Sequence, residues 1–213
     1  YDLWRDEFGL SDWGYDQLKP FFRNLESYAP GDVQHRGHQG PVHITEYGPK
    51  LPFMKAWVEA CTTAGIPSNQ DYNGKQYEGV GFLQFNTRRG WRVGAREAFL
   101  RPALKRGNLR LIQGAKAQRI LFDGKRACGV EFMQGTNRMT LRSQREVVLC
   151  AGAIQSPQLL ELSGIGNARL LNDLGISVLH DLPSVGENLI DHLHTRLCFE
   201  VRGIHTLNQI MPS

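Results

Sequence analysis

No stretch of the sequence reaches about 18 consecutive apolar residues, which excludes a membrane-spanning helix recognisable by hydropathy. It opens on no secretory leader and carries no Asn-x-Ser/Thr acceptor, so an intracellular, cytoplasmic protein is expected. Cysteine is scarce: Cys61, Cys128, Cys150 and Cys198 lie far apart and form no Cys-x-x-Cys pair. That spacing excludes a zinc ribbon and a disulfide scaffold, and predicts buried free thiols. Charge of one sign is also scarce, since 25 basic residues against 21 acidic leave a net +4. A surplus so small gives no reason to expect nucleic acid. A complete glycine-rich dinucleotide fingerprint is missing too, because Gly79-Val80-Gly81 and Gly164-Ile165-Gly166, its only Gly-x-Gly sites, do not continue to a third glycine at the required spacing after a strand. His35 with His38, and His192 with His194, are spaced like metal ligands but find no third ligand nearby in sequence.

What the sequence does have is concentrated in Glu146 to Gly166. The run Val147-Val148-Leu149 is expected to form a strand buried on both faces of a parallel sheet, and the small residues Ala151, Gly152 and Ala153 follow it at once. Ser156 before Pro157 predicts a helix start, Leu159, Leu160 and Leu162 supply a short apolar face, and Gly164 and Gly166 end it. A buried strand, a small-residue turn and a helix start make a crevice whose backbone N–H groups suit the phosphates of a dinucleotide.

Within that stretch, Gly152-Ala153-x-x-Ser156-Pro157-x-Leu159-Leu160-x-x-Ser163-Gly164-Ile165-Gly166 resembles the second signature of the glucose-methanol-choline (GMC) oxidoreductases, FAD-dependent alcohol-oxidising enzymes. Further resemblances are Gly40-Pro41-Val42-His43, Asn108-Leu109, Gly129-Val130-Glu131, and the segment Leu182 to His192. Together they extend over nearly the whole chain. The resemblance implies an α/β fold: part of an FAD-binding Rossmann-like domain with a β-meander, plus part of an inserted substrate-binding domain. The expected division is a helical segment over 1–41, substrate-domain sequence over 42–84, FAD-domain sequence over 85–191, and a second substrate-domain segment from 192 to 213. Both ends read as cuts through a longer protein, since the chain begins at Tyr1 without methionine and stops at Met211-Pro212-Ser213. The family's glycine-rich fingerprint and its catalytic histidine are expected outside it, and no catalytic residue is assigned within it.

In chain order, Leu18, Phe21, Phe22 and Leu25 have helical spacing and predict an aromatic-rich core layer with Trp4, Phe8 and Trp13. Pro30 to Gly40 reads as a solvated or lid-like loop. A short strand at Pro41–Thr45 and the turn around Tyr47-Gly48-Pro49 lead to a helix from about Pro52 to Ala64, with Phe53, Trp57, Val58 and Cys61 on its buried side, and a strand at Val80–Asn86. Between Arg88 and Arg110, eight basic residues face the single acid Glu97. Ala95, Ala98, Phe99 and Ala103 read there as the buried stripe of an otherwise solvated helix. Strands are expected at Leu109–Gln113, Gln118–Phe122, Cys128–Phe132 and Met139–Arg142, with a hairpin at Asp123-Gly124, followed by a helix at Ala168–Leu174 and strands at Ile176–His180 and His194–Val201.

The resemblance implies FAD as cofactor, a small-molecule alcohol as substrate and no nucleic-acid partner. Its electron acceptor is not legible, and membrane association of the parent stays open. It places Ala117 against the adenine end, Ala151 and Gly152 in the cofactor crevice, and Asn188, Asp191 and His192 close to the flavin. In choline-oxidising relatives a glutamate matching Glu200 helps hold the trimethylammonium group, which a carboxylate suits because that cation donates no hydrogen bond. A lyase on the same scaffold and a non-enzymatic interaction module are the alternatives, the latter resting on the basic segment alone.

Overall fold

In the computed structural model, residues 1–46, 48–206 and 209 are described. The turn residue Tyr47 and the Met211-Pro212-Ser213 end lie outside them. The chain divides into two compact units, Leu111–Leu197 and, separately, Tyr1–Arg110 with the described part of Cys198–Ser213.

In the unit that begins at Tyr1, helices α1 (Asp2–Phe8) and α2 (Tyr15–Leu25) flank a 3-10 turn at Ser11–Trp13. The helical spacing holds, but the core layer does not: Phe8 and Phe21 are each 66% exposed. Periodicity reports which side of a helix is apolar, not what covers it. The rings pack on each other instead, Tyr1 on Trp4 at 5.3 Å between centroids and Trp4 on Trp13 at 5.9 Å, both edge to face. Short strands follow: β1 (Glu26–Ser27) pairs in parallel with β2 (Val42–His43), and β3 (Thr45–Glu46) pairs antiparallel with β4 (Gln84–Phe85). Helix α3 (Pro52–Thr63) lies between β3 and β4 in sequence, within a residue of its expected end, yet Trp57 on its expected buried side is largely exposed. The expected strand Val80–Asn86 is reduced to β4, with Val80 in a lone bridge to Ser68.

Strands β5 (Thr87–Arg88) and β6 (Trp91–Arg92) close a hairpin over Arg89-Gly90, both with positive φ (51° and 81°), the conformation of a type I′ turn. The expected helix beyond it is a π-helical turn, Arg96–Leu100, running into the short α4 (Arg101–Leu104). Ala98 is buried as expected, whereas Phe99 is 42% exposed.

This unit is held by a buried ion cluster rather than by leucines. Arg36 is 2% exposed and clamps Glu26 with two hydrogen bonds, Nε to Oε1 at 2.7 Å and Nη2 to Oε2 at 2.9 Å. Its Nη1 donates to Asp71 and, at 3.1 Å, to Gln84 Oε1, while the guanidinium lies 4.4 Å from the centre of the Tyr28 ring. Gly37 and Gly40 are buried as well. The Pro30–Gly40 loop is exposed over much of its length, as expected, but it is tied down at its centre, where Arg36 joins β1, β4 and the Asp71 loop.

The Leu111–Leu197 unit is built on a three-stranded antiparallel meander, β7 (Ala115–Asp123), β8 (Arg126–Gln134) and β9 (Asn137–Arg142). Each hairpin loop has two residues and opens with a glycine of positive φ, Gly124 at 54° and Gly135 at 60°, as tight connections require. The expected strand at Leu109–Gln113 does not form. Helix α5 (Gly152–Leu162) packs against β7; after it come β10 (Ile165–Gly166), α6 (Ala168–Asp173) and β11 (His180–Asp181), with β10 and β11 pairing in parallel. The core contains Ile120, Phe132, Leu159 and the fully buried Leu171.

Candidate functional site

The strand expected at Val147–Leu149 has no ladder partner among the described residues, and Val148 is 72% exposed. An apolar run marks a segment that gains from burial, but a parallel strand also needs neighbours, and no described segment supplies them. The same physics removes the strand expected at His194–Val201, where Leu197 and Phe199 are 76% and 72% exposed. The thiols are free, as expected, but not buried: Cys61 and Cys128 are half-buried, Cys150 and Cys198 exposed.

Helix α5 begins at Gly152, not after Ser156, and Pro157 sits inside it. Ser156 Oγ instead accepts from the Ala151 N–H, just before the helix, at 3.1 Å. The misplaced start has a physical reason: Gly-Ala-Ile-Gln carries no side-chain cap, whereas Ser-Pro imitates one. No side chain caps the first amides of the helix, so its N-terminus keeps free donors and the positive end of its dipole. Gly152 has φ of 86°, and a Cβ added there would meet nothing within 4 Å. Glycine is needed for its conformation, and the space above it is open to a ligand. Val148 and Ile154, close to Gly152 in sequence, are 72% and 74% exposed. Free amides and an open glycine fit the phosphate portion of a dinucleotide.

Two contacts position this helix. Ser163 Oγ accepts the Ile120 N–H at 2.8 Å and donates to the Leu159 carbonyl at 2.5 Å, fastening the end of α5 to the edge strand β7. The fastening falls beside a register shift between Ala117 and Arg119 in the pairing of β7 with β8. Near the same end, an added Cβ on Gly186 would stand 3.1 Å from Glu161 Oε1, so the Leu182–His192 turn comes close to α5, and the Gly186 φ of 83° is a conformation that favours glycine. The turn is anchored by the Leu182 N–H to the Gly166 carbonyl at 2.9 Å. Neither Ser163 nor Gly186 carries a local sequence signal for these contacts, because each depends on a partner far away in sequence.

Of the expected site residues, Ala117 is exposed on β7 opposite Phe132, and Ala151 and Gly152 open α5. Asn188 holds a left-handed φ of 57°, and Asp191 and His192 follow it, exposed, in irregular backbone. These residues share one unit, and the turn meets α5 through Gly186 and Glu161, but no side-chain hydrogen bond links the three groups among the described residues. Glu200 belongs to the other unit, 77% exposed at its side chain and paired with Arg202 Nε at 3.2 Å. Among the described residues no three His, Cys, Asp or Glu side chains gather to hold a metal ion, and no helix is long and apolar enough to cross a membrane.

Comparison with known proteins gives this geometry a context. The chain is 44% identical over 204 residues to an oxygen-dependent choline dehydrogenase of Burkholderia pseudomallei, covering 95% of the chain and 36% of the relative. The corresponding enzyme of Pectobacterium atrosepticum is 45% identical over 201 residues, 92% of the chain and 36% of the relative. The chain thus spans about a third of the length of the curated relatives it matches. Among solved structures it resembles pyridoxine 4-oxidase from Mesorbium loti (TM-score 0.76, 31% identity, 83% of this chain and 35% of that one). An FAD-dependent oxidoreductase from Chaetomium thermophilum is likewise similar (TM-score 0.80, 29% identity, 86% and 34%). The mixed α/β class expected from the sequence agrees with these neighbours. Residues 1–194 match the family model described as GMC oxidoreductase, and the chain belongs to that family.

Proposed function

We propose that this chain is part of an FAD-dependent dehydrogenase that oxidises a primary alcohol of the choline type to an aldehyde. The observation that carries the reading is the Cys150–Leu162 segment, whose uncapped helix start and open Gly152 suit a dinucleotide, in a chain 44% identical to a choline dehydrogenase. When bound, FAD supplies the hydride acceptor. The amides at the start of α5 orient an anionic portion of the cofactor, and Gly152 admits it without a Cβ in the way. Ala117 offers backbone beside an exposed methyl group at the adenine end. Asn188, Asp191 and His192 shape the turn close to the flavin ring, and Glu200 anchors the substrate cation after releasing Arg202. No catalytic base is assigned in this chain, and residues 1–213 alone are expected to be inactive.

The test is flavin content together with choline-dependent reduction of a dye by the intact protein, beside Gly152→Val and Glu200→Gln variants. The valine should abolish flavin retention, because its Cβ enters open cofactor space in a backbone conformation that L-residues avoid. The glutamine should raise KM for choline about tenfold or more while sparing a neutral alcohol, as removal of a charge contact specific to the cation requires. Flavin retained at wild-type level by the valine variant would remove α5 from the cofactor site.

A further inference from the structure

The basic residues between Arg88 and Arg110 play no part in the reading above, and the structure gathers several of them around one cleft. We propose that this cleft, of about 760 Å3 between the β5–β6 hairpin and the π-turn–α4 segment, binds a phosphate-type anion.

Its walls carry Arg88, Arg92, Arg101 and Lys105, with His43 beside them, and Val93, 9% exposed, is a buried apolar residue in its lining. Glu97 is the acid of the lining, and it is already engaged by Arg96 and, at 3.3 Å, by Arg101. Arg88, Arg92 and Lys105 make no ion pair among the described residues, so three cations converge without local neutralisation. Like charges that line one cleft repel one another, and an arriving anion relieves that repulsion while gaining charge-assisted hydrogen bonds. Guanidinium groups favour a phosphate because they present paired N–H donors to its oxygens. The backbone is unusual at both walls. Arg89 occupies the left-handed position of the hairpin turn that Asn, Asp or Gly ordinarily takes, and Arg96–Leu100 is a π-helical turn; such departures cluster at binding sites. Trp91, 79% exposed in the same lining, provides an aromatic face beside the cations, as expected if the phosphate is carried on a larger molecule.

The phosphate could arrive on a soluble molecule or on a lipid headgroup, and two probes separate these sources. Inorganic pyrophosphate would be titrated into the intact protein by calorimetry. Sedimentation would then be followed with phosphatidylcholine vesicles that contain or lack phosphatidylglycerol. An Arg88→Gln/Lys105→Gln double variant should lose at least about tenfold in affinity for whichever probe binds, and binding should weaken as ionic strength rises through about 0.15 M. Arg88→Lys, which keeps the charge, should retain most of the binding, and Lys125→Gln on the β7–β8 loop, which does not line the cleft, should change nothing. Pyrophosphate binding that the double variant loses assigns a soluble phosphate; loss confined to anionic vesicles assigns a headgroup. No binding of either probe, or equal binding by the double variant, overturns the proposal. Flavin content is not a readout here, so failure leaves the cofactor reading untouched.

Discussion

Without the Arg36 guanidinium, the Glu26 and Asp71 carboxylates would lose the cation they share, in surroundings where each is only about a fifth exposed (21% and 22%). Burial acts to raise the Glu26 carboxyl, but the hydrogen bond from Arg36, the Gly37 N–H and the nearby positive charge hold it below the usual carboxylate range. An Arg36→Met substitution should therefore cost about 3 kcal/mol at neutral pH, read from urea midpoints. A depressed folded-state pKa contributes stability above the unfolded value, about 4.3 for glutamate, and loses it as pH falls through the folded pKa. The gap between wild type and variant should accordingly narrow below about pH 4. Tyr28 has the opposite sign. Burial, reinforced by Glu46, which accepts from its hydroxyl at 3.2 Å, pushes its phenol up to about 12. Its contribution is fully present below about pH 10, the unfolded value, and is lost as pH rises toward 12. Tyr28→Phe should flatten the alkaline limb of the stability curve in that window, and an unchanged limb would assign it elsewhere.

At the scale of the element, Ser163 decides where α5 ends and what it holds. Ser163→Ala would strip the acceptor from the part-buried Ile120 N–H and should cost about 1–3 kcal/mol by denaturation. Because the fastening sits at the far end of α5 from Gly152, that loss should exceed any loss of flavin affinity. Elements also show what was legible in the sequence. The meander was, because the Asp123-Gly124 turn and the apolar residues on either side of it are local signals, and so were α3 and α6, whose apolar spacing and flanking glycine or proline lie within each segment. The start of α5 was misread by a few residues because Ser156-Pro157 imitates a cap. Val147–Leu149 and His194–Val201 were read as strands from side-chain pattern alone, yet a ladder depends on a second segment that no local pattern encodes. Arg36 was unreadable for a related reason: its partners Glu26, Asp71 and Gln84 lie 10, 35 and 48 residues away, and a lone arginine in a polar loop looks solvated.

For the chain taken whole, the pattern of exposure bears on what residues 1–213 do by themselves. In the Leu111–Leu197 unit, Val148 and Ile154, close to Gly152 in sequence, and Leu189, Ile190, Leu193 and Leu197, in the turn and beyond it, are each at least 69% exposed. Side chains of this size left in water forgo about 1.5–3 kcal/mol each relative to burial, so this surface favours whatever can cover it. Bound flavin would cover the first pair, and chain beyond the third of its relatives that this sequence spans would cover the apolar run. Residues 1–213 expressed alone should then enhance the fluorescence of an apolar dye such as ANS strongly, retain little flavin and show no choline-dependent dye reduction. The intact parent should show the converse in all three assays. The run itself is tested by Leu193→Ser/Leu197→Ser, which should lower dye binding of the isolated chain by roughly half without lowering its melting temperature, since solvated leucines contribute little to folding. Dye binding unchanged by that pair would place the sticky surface elsewhere, and robust turnover by the isolated chain would show that no further chain is needed to complete the active site.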